Sequence, residues 1–319
     1  MATENRQSSV RLSESTLSNI KLFCDVAKAN GSSVSIKDLI GLTSLDFTEQ
    51  QLVESWDDYE ILSSRYKIAS GIVLDSSVGD YSDSNEFVSE KTNEVSEDYQ
   101  RANSNISFGM RFGSFLGSDK FKVLSISGST SYLSVSKTDD LDFFCISESG
   151  KMWKSFIQAL IIARFFRLRQ KDSPWLCLSY VADEQFARHE FAISRDGLFA
   201  RDAISARVIH GEEFYSNLLK ENSWMAEYFP KLYSLQVAKS SIRKVKMKRV
   251  SSLSRIVNLF LYYTAGSYIK VKSYLLNRKL TRDRKFSSLF KLRIGMDHCI
   301  YESQDYLRLR KMYAAFRRF

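Results

Sequence analysis

The chain has 319 residues, a formal net charge of +9 and 44% hydrophobic residues, enough to bury a large core in two or three domains of about 100 to 200 residues each. Its four cysteines have no paired spacing and its three histidines lie far apart, so the composition excludes a disulfide framework and a zinc site. Together with a polar amino end that carries no signal peptide, this predicts a cytoplasmic protein.

Charge divides sharply along the chain. Residues 1–150 hold 13 Lys and Arg against 23 Asp and Glu, a balance of −10, whereas residues 151–319 hold 33 against 14, a balance of +19. The basic part is expected to attract polyanions, most strongly from residue 231 onward. The two halves of the chain therefore face different partners.

Residues 1–74 show the pattern of a small winged-helix-like domain. Apolar residues recur at helical spacing up to Asn30, which predicts a first helix, and residues 35–40 predict a short second one. Thr48 and Gln51 form a capping box that predicts the start of a third helix.

A hairpin is predicted after the third helix, from residues 59–62 and 65–68, in the position of a wing. A winged helix raises the hypothesis of DNA binding. However, the third helix, residues 49–56, contains no Lys or Arg that would contact phosphates or guanine. The pattern therefore favours a structural role or a contact with a protein partner.

Residues 75–96 are rich in acidic side chains and serines and are predicted to form a mobile acidic linker. A core domain is predicted over residues 97–230, opening with a helix from Tyr99 to Phe115. Gly109 and Gly113 have low helix propensity and weaken the signal for that helix without ending it.

Two predicted strands carry the most specific motif of the chain. The first, residues 123–126, is followed by a turn at Gly128 and Ser129, and the second opens with Asp140 and Asp142. Side chains two residues apart in a strand share a face, so the two carboxylates are expected to lie side by side. If the strands are neighbours, the turn and the acid pair meet in space.

This combination suits the chemistry of a metal-bound triphosphate. Mg²⁺ is usually held by one or two carboxylates together with substrate phosphates, which predicts Asp140 and Asp142 as metal ligands. Gly128 allows the backbone to approach phosphates, and Ser129 offers a hydroxyl and an N–H to a phosphate oxygen.

The Gly128-Ser129 pair, ten intervening residues and the Asp140-hydrophobic-Asp142 pattern resemble the signature of the DNA polymerase beta-like nucleotidyltransferase superfamily. The resemblance implies an α+β fold, with a short mixed sheet in the nucleotidyltransferase core. It implies transfer of a nucleoside monophosphate from an NTP to an acceptor hydroxyl of RNA, protein or a small molecule, with release of pyrophosphate. Mg²⁺ or Mn²⁺ is the implied cofactor, and positioning and charge neutralisation supply most of the catalysis.

A long apolar helix is predicted after the acid pair, ending near Arg169. Lys151 and Lys154, at its start, are candidates for screening the pyrophosphate. Its apolar stripe is expected to be core rather than a binding surface and consists of Trp153, Phe156, Ile157, Leu160, Ile161 and Phe165.

The next predicted strand, residues 175–181, is where the superfamily usually places a third carboxylate. This chain departs from that pattern, because Cys177 and Ser179 do not replace an Asp. Asp183, just beyond the strand, is the favoured third metal ligand, Glu190 is an alternative, and a site without a third ligand is the remaining possibility. Two hypotheses stay open: an active nucleotidyltransferase, or a catalytically silent one that binds nucleotide or RNA.

Three later segments, residues 199–203, 211–215 and 222–230, are similar to those of a group of prokaryotic nucleotidyltransferase-domain proteins with a winged-helix-like front end. The combined resemblance covers most of residues 15–230. Its later motifs do not identify an acceptor, and their aromatic residues also suit packing positions.

Residues 231–319 are predicted to form a basic helical domain. The apolar run from Ile256 to Ile269 is shorter than the about 20 residues needed to span a bilayer, so a helix buried against the core is expected rather than membrane insertion. Basic side chains in 243–249 and 270–285, interleaved with aromatic residues, fit an RNA-binding surface as well as a solvated basic helix.

Overall fold

The computed structural model describes residues 11–29, 33–43, 45–76, 85–133, 135, 139–169, 173–238 and 252–315. These residues build a six-stranded mixed sheet with helices on both faces and a separate three-stranded sheet near the amino end. A mixed α/β architecture agrees with the predicted class.

The amino-terminal elements are α1 Glu14–Ala29, β1 Val34–Ser35, α2 Ile36–Leu42, α3 Glu49–Glu54, a 3₁₀ turn Trp56–Asp58, α4 Glu60–Ser63, β2 Tyr66–Ala69 and β3 Ile72–Asp75. The three predicted helices are confirmed. Ser35 caps α2, and the capping box of Thr48 and Gln51 opens α3. The strands form an antiparallel sheet in the order β1-β3-β2.

The predicted hairpin is wrong in position. Residues 60–63 are helical, and the hairpin is formed by β2 and β3 instead. Its two turn residues, Ser70 and Gly71, both have positive φ, at 51° and 75°. A two-residue turn of this kind matches the twist of antiparallel strands and favours glycine, which the predicted Ser-Ser turn lacks.

A long helix, α5, spans Asn85–Leu116 and begins inside the segment predicted as an acidic linker. The part of that segment from residue 85 onward is therefore helical, while residues 77–84 lie outside the described residues. The helix confirms the one predicted from Tyr99 to Phe115 and extends it toward the amino end.

The two glycines of α5 have a packing role. A Cβ on Gly109 would lie 2.7 Å from the side chain of Ile126, and one on Gly113 would lie 2.7 Å from Ile209. Larger residues at either position would clash with the sheet, so both glycines allow the helix to approach it closely.

The larger sheet consists of β4 Val123–Ile126, β5 Leu141–Ser147, β6 Leu176–Asp183, β7 Arg207–His210, β8 Phe290–Ile294 and β9 His298–Ser303. Its order is β7-β4-β5-β6-β9-β8; β5 and β6 run parallel and the other neighbours antiparallel. The two strands predicted around the turn and acid pair are confirmed as neighbours, and the strand predicted over 175–181 is confirmed as β6.

The helices that follow α5 are α6 Gly128–Ser131, α7 Met152–Leu168, α8 Glu184–Ile193, α9 Gly197–Ser205, α10 Glu212–Glu221, α11 Pro230–Ala238, α12 Ser252–Leu261, α13 Ser267–Arg282 and α14 Gln304–Tyr313. Short 3₁₀ turns lie at Ser223–Glu227 and Phe286–Ser288. A π-helical turn, Tyr262–Gly266, joins α12 to α13 without a break.

The prediction that residues 231–319 are helical is wrong at β8 and β9. Residue His298 of β9 pairs with Ala182 of β6, so this part of the chain extends the main sheet. In β8 the apolar residues Phe290, Leu292 and Ile294 alternate with basic ones. That period of two is a strand signal, which the high basic charge of the segment obscured.

The main sheet separates two hydrophobic cores. On β5, alternate residues from Leu141 to Cys145 pack with α5 and α7, whereas Phe144 and Ile146 pack with α8, α9 and α10. The second core includes the amino-terminal helices, because the ring of Phe23 in α1 lies 6.1 Å from that of Tyr313 in α14.

Helix α7 confirms the helix predicted after the acid pair, but only part of its predicted stripe is core. Trp153 and Phe156 are buried, whereas Leu160, Ile161 and Phe165 are exposed. The buried side continues instead through two alanines, which bring the helix close to its neighbours.

The prediction of a helix buried against the core, from Ile256 to Ile269, is met only at its second half. Ile269 is buried, and Leu261, Tyr262 and Ala265 pack against the core of α5 and α7. Ile256 and Phe260 are 63% and 65% exposed, and the buried position of α12 is Asn258. Among the described residues, none of the helices has the length and apolar character that a membrane crossing requires.

Candidate functional site

The register of β4 and β5 brings the predicted turn and acid pair together. Ile126 pairs with Phe143, so the turn that follows β4 lies beside the first residues of β5. The backbone N–H of Ser127 donates to the carbonyl oxygen of Asp142 at 3.0 Å. A Cβ on Gly128 would lie 2.9 Å from the Asp142 carboxylate oxygen Oδ2.

Gly128 is required at this turn for two reasons. Its φ of +64° lies in the left-handed region that favours glycine, and any side chain would approach the Asp142 carboxylate too closely. The chain then enters the single helical turn α6, in which the Ser131 hydroxyl donates to the carbonyl oxygen of Gly128. Next to it, the buried hydroxyls of Thr130 and Tyr132 have no hydrogen-bond partner among the described residues.

Asp142 is the central carboxylate of the site. Burial raises its pKa to about 6, and repulsion from Asp140 and Asp139 acts in the same direction. Hydrogen bonds from the Ser179 hydroxyl and the Cys177 thiol oppose the increase without cancelling it. A carboxylate in such surroundings gains from a bound cation, because a nearby positive charge favours its ionised form.

Asp140 lies just before β5 and is exposed. Partial desolvation and the neighbouring Asp139 raise its pKa, while Arg167 lowers it. The guanidinium of Arg167, near the end of α7, lies 3.1 Å from the ring centroid of Trp175. Arg167 is therefore a cation held next to the acid pair, which the sequence interpretation missed.

A second cation at this end of the sheet is Arg207. It pairs with Ile126 across β4 and β7, and its Nε donates to the carbonyl oxygen of Ser131 at 3.2 Å. This contact holds the guanidinium against α6. Sequence reasoning missed Arg207 because its place depends on the pairing of two strands about 80 residues apart in the chain.

We call the end of the sheet where β5 and β6 begin the acid end; it contains Gly128, Ser129, Asp140, Asp142, Cys177, Ser179, Arg167 and Arg207. The opposite end, where β5 and β6 finish, is called the capped end; it contains Lys122, Ser147, Gly150, Lys151, Asp183 and Glu184. The register of the parallel pair, Asp142 with Cys177 and Ser147 with Asp183, defines both ends.

The structure does not bring Asp183 to the acid pair. The five-residue separation along β5 corresponds to about 16 Å. Asp183 instead caps α8, where Oδ1 accepts from the N–H groups of Gln185 and Phe186 at 3.0 Å. Its Oδ2 accepts from the N–H of Gly150 at 3.1 Å. The structure therefore places Asp183 apart from the acid pair, with both carboxylate oxygens engaged by backbone N–H groups.

Glu190, the alternative third ligand, is used in an ion pair. Arg293 of β8 donates to both of its carboxylate oxygens, at 2.8 and 2.9 Å, and the Glu190 side chain is only 6% exposed. Arg293 lowers the pKa of Glu190 against the opposing effect of burial. This carboxylate already has its cation.

Lys151 and Lys154 also lie away from the acid end. Lys151 precedes the first turn of α7, four residues after β5 finishes, and pairs with Glu148. Lys154 follows on the exposed side of the same turn. This arrangement does not bring the two lysines to Asp142, and the cations at that end of the sheet are Arg167 and Arg207.

Asp140 and Asp142 are the candidate metal-binding groups of the acid end, and the carboxylate of Asp139 lies close enough to raise the pKa of both. No group of three or more His, Cys, Asp or Glu side chains in the described part of the chain is arranged to hold a metal ion. Asp140 and Asp142 supply hard oxygen ligands, and Mg²⁺ commonly completes such a set with water and substrate phosphates. The residues present therefore fit a metal held jointly with a nucleotide and fit poorly to a metal held by protein alone.

Comparison with protein-family models, with curated proteins and with solved structures gives no match to this chain. The interpretation of the acid end therefore depends on its geometry and on the motif that the sequence carries.

Proposed function

We propose that the chain is a metal-dependent nucleotidyltransferase that moves a nucleoside monophosphate from an NTP to an acceptor hydroxyl and releases pyrophosphate. The observation that carries this proposal is the close contact between the turn and Asp142. A side chain at position 128 would collide with the Asp142 carboxylate, so the backbone of Gly128 lies directly against it. A small-residue turn against a half-buried carboxylate accommodates phosphates and a divalent cation together.

Each residue of the acid end has a role in this proposal. Asp140 and Asp142 would hold Mg²⁺ or Mn²⁺, and Gly128 and Ser129 would present backbone N–H groups to the triphosphate. The metal supplies neutralisation of phosphate charge when it is bound.

Arg167 and Arg207, both fixed by protein contacts, would stabilise the charge that develops on the pyrophosphate. Preorganised cations of this kind stabilise a transition state without reorganising during the reaction.

A second candidate function is nucleotide binding without turnover. It is favoured by Cys177 and Ser179, which donate to Asp142 from the strand where the resemblance places a third carboxylate. The alternative ligands Asp183 and Glu190 are both engaged elsewhere, so neither is placed to accept a proton from the acceptor hydroxyl. An active nucleotidyltransferase needs a group that takes up this proton, unless the hydroxyl of its acceptor substrate is already acidic.

The decisive experiment is incubation with each α-labelled NTP and Mg²⁺ or Mn²⁺, in the presence of RNA and total protein, followed by identification of the labelled product. Asp142→Asn should reduce labelling at least about a hundredfold, because the swap removes metal-binding charge while keeping shape. Asp183→Asn is the matched control and should label like wild type.

Calorimetry with Mn²⁺ and a non-hydrolysable NTP separates the two candidate functions. Binding that depends on Asp142, without labelling of any acceptor, supports the silent binder. Labelling and binding that are equal in wild type and Asp142→Asn would remove the acid end from both proposals.

A further inference from the structure

The helix formed by α12, the π-helical turn and α13 exposes much of its apolar surface. The most exposed apolar side chains of α12 and the adjoining turn are Leu253, Ile256, Phe260 and Tyr263, and Val257 and Leu259 are also exposed. A surface helix of a globular protein places its apolar stripe on the core instead. The exposed fractions, up to 71% for Leu253, show that the described protein body does not cover this face.

The protein side of the same helix combines a short apolar strip with polar contacts. Ile269 is buried, and Leu261, Tyr262 and Ala265 pack against the core formed with α5 and α7. The buried Asn258 accepts from the Trp153 backbone N–H at 2.7 Å and donates to the carbonyl oxygen of Met296 at 3.2 Å. In α13, Asn277 donates to the carbonyl oxygen of Phe290 at 2.7 Å. These contacts fix which side of the helix faces outward, so the exposed apolar face is specified by the fold.

The exposed apolar face continues along α13. Val271, Tyr274 and Leu275 are each more than half exposed. The continuous helix from 252 to 282 is about 46 Å long at the usual rise per residue. We call its exposed side, from Leu253 to Leu276, the outer face.

Charge along this helix has one sign. Residues 252–282 contain no Asp or Glu and six basic residues, Arg255, Lys270, Lys272, Arg278, Lys279 and Arg282. All six are exposed. The next acidic residue, Asp283, lies 3.6 Å from Arg282 and pairs with it. The net positive charge of the helix therefore comes from the other five basic residues.

We propose that the outer face lies on the surface of an anionic lipid membrane, with its apolar side chains among the acyl chains and its Lys and Arg at the phosphate headgroups. An interfacial helix combines these features: aliphatic and aromatic residues on one side, and Lys and Arg next to them. Each cation near an anionic surface adds to the attraction. A lipid surface satisfies both components along the whole helix.

A nucleic acid accounts for only part of the surface. Phosphates would satisfy the lysines, and Tyr263 or Tyr274 would stack on bases, but Leu253, Ile256, Val257 and Leu275 have no partner in that arrangement. Peripheral binding is also compatible with the absence of a membrane-crossing helix among the described residues. The proposal is independent of the nucleotidyltransferase function, because it uses no residue of the acid end.

The test is co-sedimentation of the full-length protein with vesicles of phosphatidylcholine alone or mixed with phosphatidylglycerol. Wild type should bind the mixed vesicles, and binding should weaken as salt is raised. Ile256→Ser combined with Phe260→Ser should reduce affinity at least about tenfold, since each loses buried apolar area. Val53→Ser with Ile61→Ser is the matched control, because these side chains are 43% and 44% exposed elsewhere on the protein.

A variant with two lysines replaced tests the contribution of the cations to membrane binding. Lys270→Gln with Lys272→Gln should lower affinity for the mixed vesicles roughly tenfold, and should leave any binding to phosphatidylcholine alone unchanged. All variants change exposed side chains and should keep the wild-type melting temperature.

Three kinds of result would overturn the proposal. The first is wild type that fails to bind mixed vesicles at low salt, or binding that is insensitive to the Ile256 and Phe260 variant. The second is a dimer, seen by analytical ultracentrifugation, that this variant dissociates while vesicle binding is absent; the outer face would then bind a second copy. Retention of RNA without retention of vesicles would likewise assign the cations to nucleic acid.

Discussion

The acid end and the capped end of the same two strands use their charged residues in opposite ways. At the capped end, Asp183 accepts three backbone N–H groups, and Lys122 pairs with the buried Glu184. At the acid end, Asp142 receives hydrogen bonds from neutral groups and forms no ion pair with any described residue. The charged groups of the capped end stabilise the fold, whereas the Asp142 carboxylate at the acid end remains available to a ligand.

This difference separates residues that look equivalent in the sequence. Asp142, Asp183 and Glu190 are all carboxylates near strands of the core, and spacing alone makes each a candidate metal ligand. Their hydrogen-bond partners distinguish them, because a carboxylate already paired with a guanidinium or several N–H groups gains little from a metal.

The largest expected effect comes from removing the cation of a structural carboxylate. Arg293→Met leaves the buried Glu190 without the guanidinium that donates to both of its oxygens. We expect the free energy of unfolding to fall by about 3–5 kcal/mol, measured by urea denaturation. Nucleotide affinity of the folded fraction should be unchanged; a weaker affinity would mean that Glu190 belongs to the site after all.

The second prediction concerns the pH dependence that Asp142 gives to stability. Its pKa is raised from 3.8 to about 6 in the folded state, so between these pH values the folded protein binds the extra proton. The stabilisation is therefore complete below about pH 4 and is lost as pH rises through about 6. At about 1.4 kcal/mol for each pH unit between 3.8 and about 6, its size is about 3 kcal/mol.

Asp142→Asn isolates this contribution, because other groups titrate in both proteins. The difference in unfolding free energy between wild type and variant should change with the predicted sign from pH 4 to pH 7 and then level off. A divalent cation with nucleotide should move the wild-type transition to lower pH, since bound positive charge favours the carboxylate. A pH-independent difference would show that Asp142 is not desolvated in the folded protein.

The third prediction tests the structural role of Asp183. Asp183→Ala removes the cap of α8 and the acceptor for Gly150, and should lower the free energy of unfolding by about 1–2 kcal/mol. Asp183→Asn keeps a capping oxygen and should cost less. Calorimetry should find Mn²⁺-nucleotide affinity unchanged in both variants, and a tenfold loss in Asp183→Asn would restore Asp183 as a ligand.

Much of the acid end is encoded by local sequence. The strand before Gly128, the turn itself and the strand after Asp140 all have short-range signals, and the turn and the acid pair meet because consecutive strands pair. The capping box at Thr48 is equally local and is confirmed. The predicted amino-terminal hairpin is wrong in position because the turn of the observed hairpin, Ser70-Gly71, contains only one glycine. Ser70 adopts a positive φ that its residue type does not signal.

The remaining parts of the site depend on long-range geometry. Helix α7 has 17 residues and β5 has 7, so the helix, at about 25 Å, runs back along a strand of about 23 Å. Its last turn, with Arg167, therefore returns to the acid end, and its first turn, with Lys151, does not. This length comparison needs only the lengths of the two elements, and it places Arg167 rather than Lys151 near the acid pair. The place of Arg207 was not available from the sequence, because it depends on strand order.

The outer face shows the opposite limit of sequence reasoning. The apolar run from Ile256 to Ile269 correctly predicts a helix, but it does not say which side faces the protein. Burial on the core was the expectation; it holds for Ile269, whereas the contacts of Asn258 turn Ile256 and Phe260 outward. The signal in the sequence was Asn258, a polar residue within an apolar run.

The smallest expected effect belongs to Lys151, which tests whether position on the sheet decides the role of a lysine. Its ion pair with Glu148 joins side chains that are 37% and 35% exposed. Lys151→Met should change the free energy of unfolding by less than about 0.5 kcal/mol, because water screens such a pair. Nucleotide affinity, measured by calorimetry with Mn²⁺, should equal that of wild type, since the capped end lies about 16 Å from Asp142 along the strands. Arg167→Met provides the matched comparison and should weaken nucleotide binding. If instead Lys151→Met weakens binding and Arg167→Met does not, the nucleotide reaches the capped end, and the division of the sheet into a ligand end and a structural end is wrong.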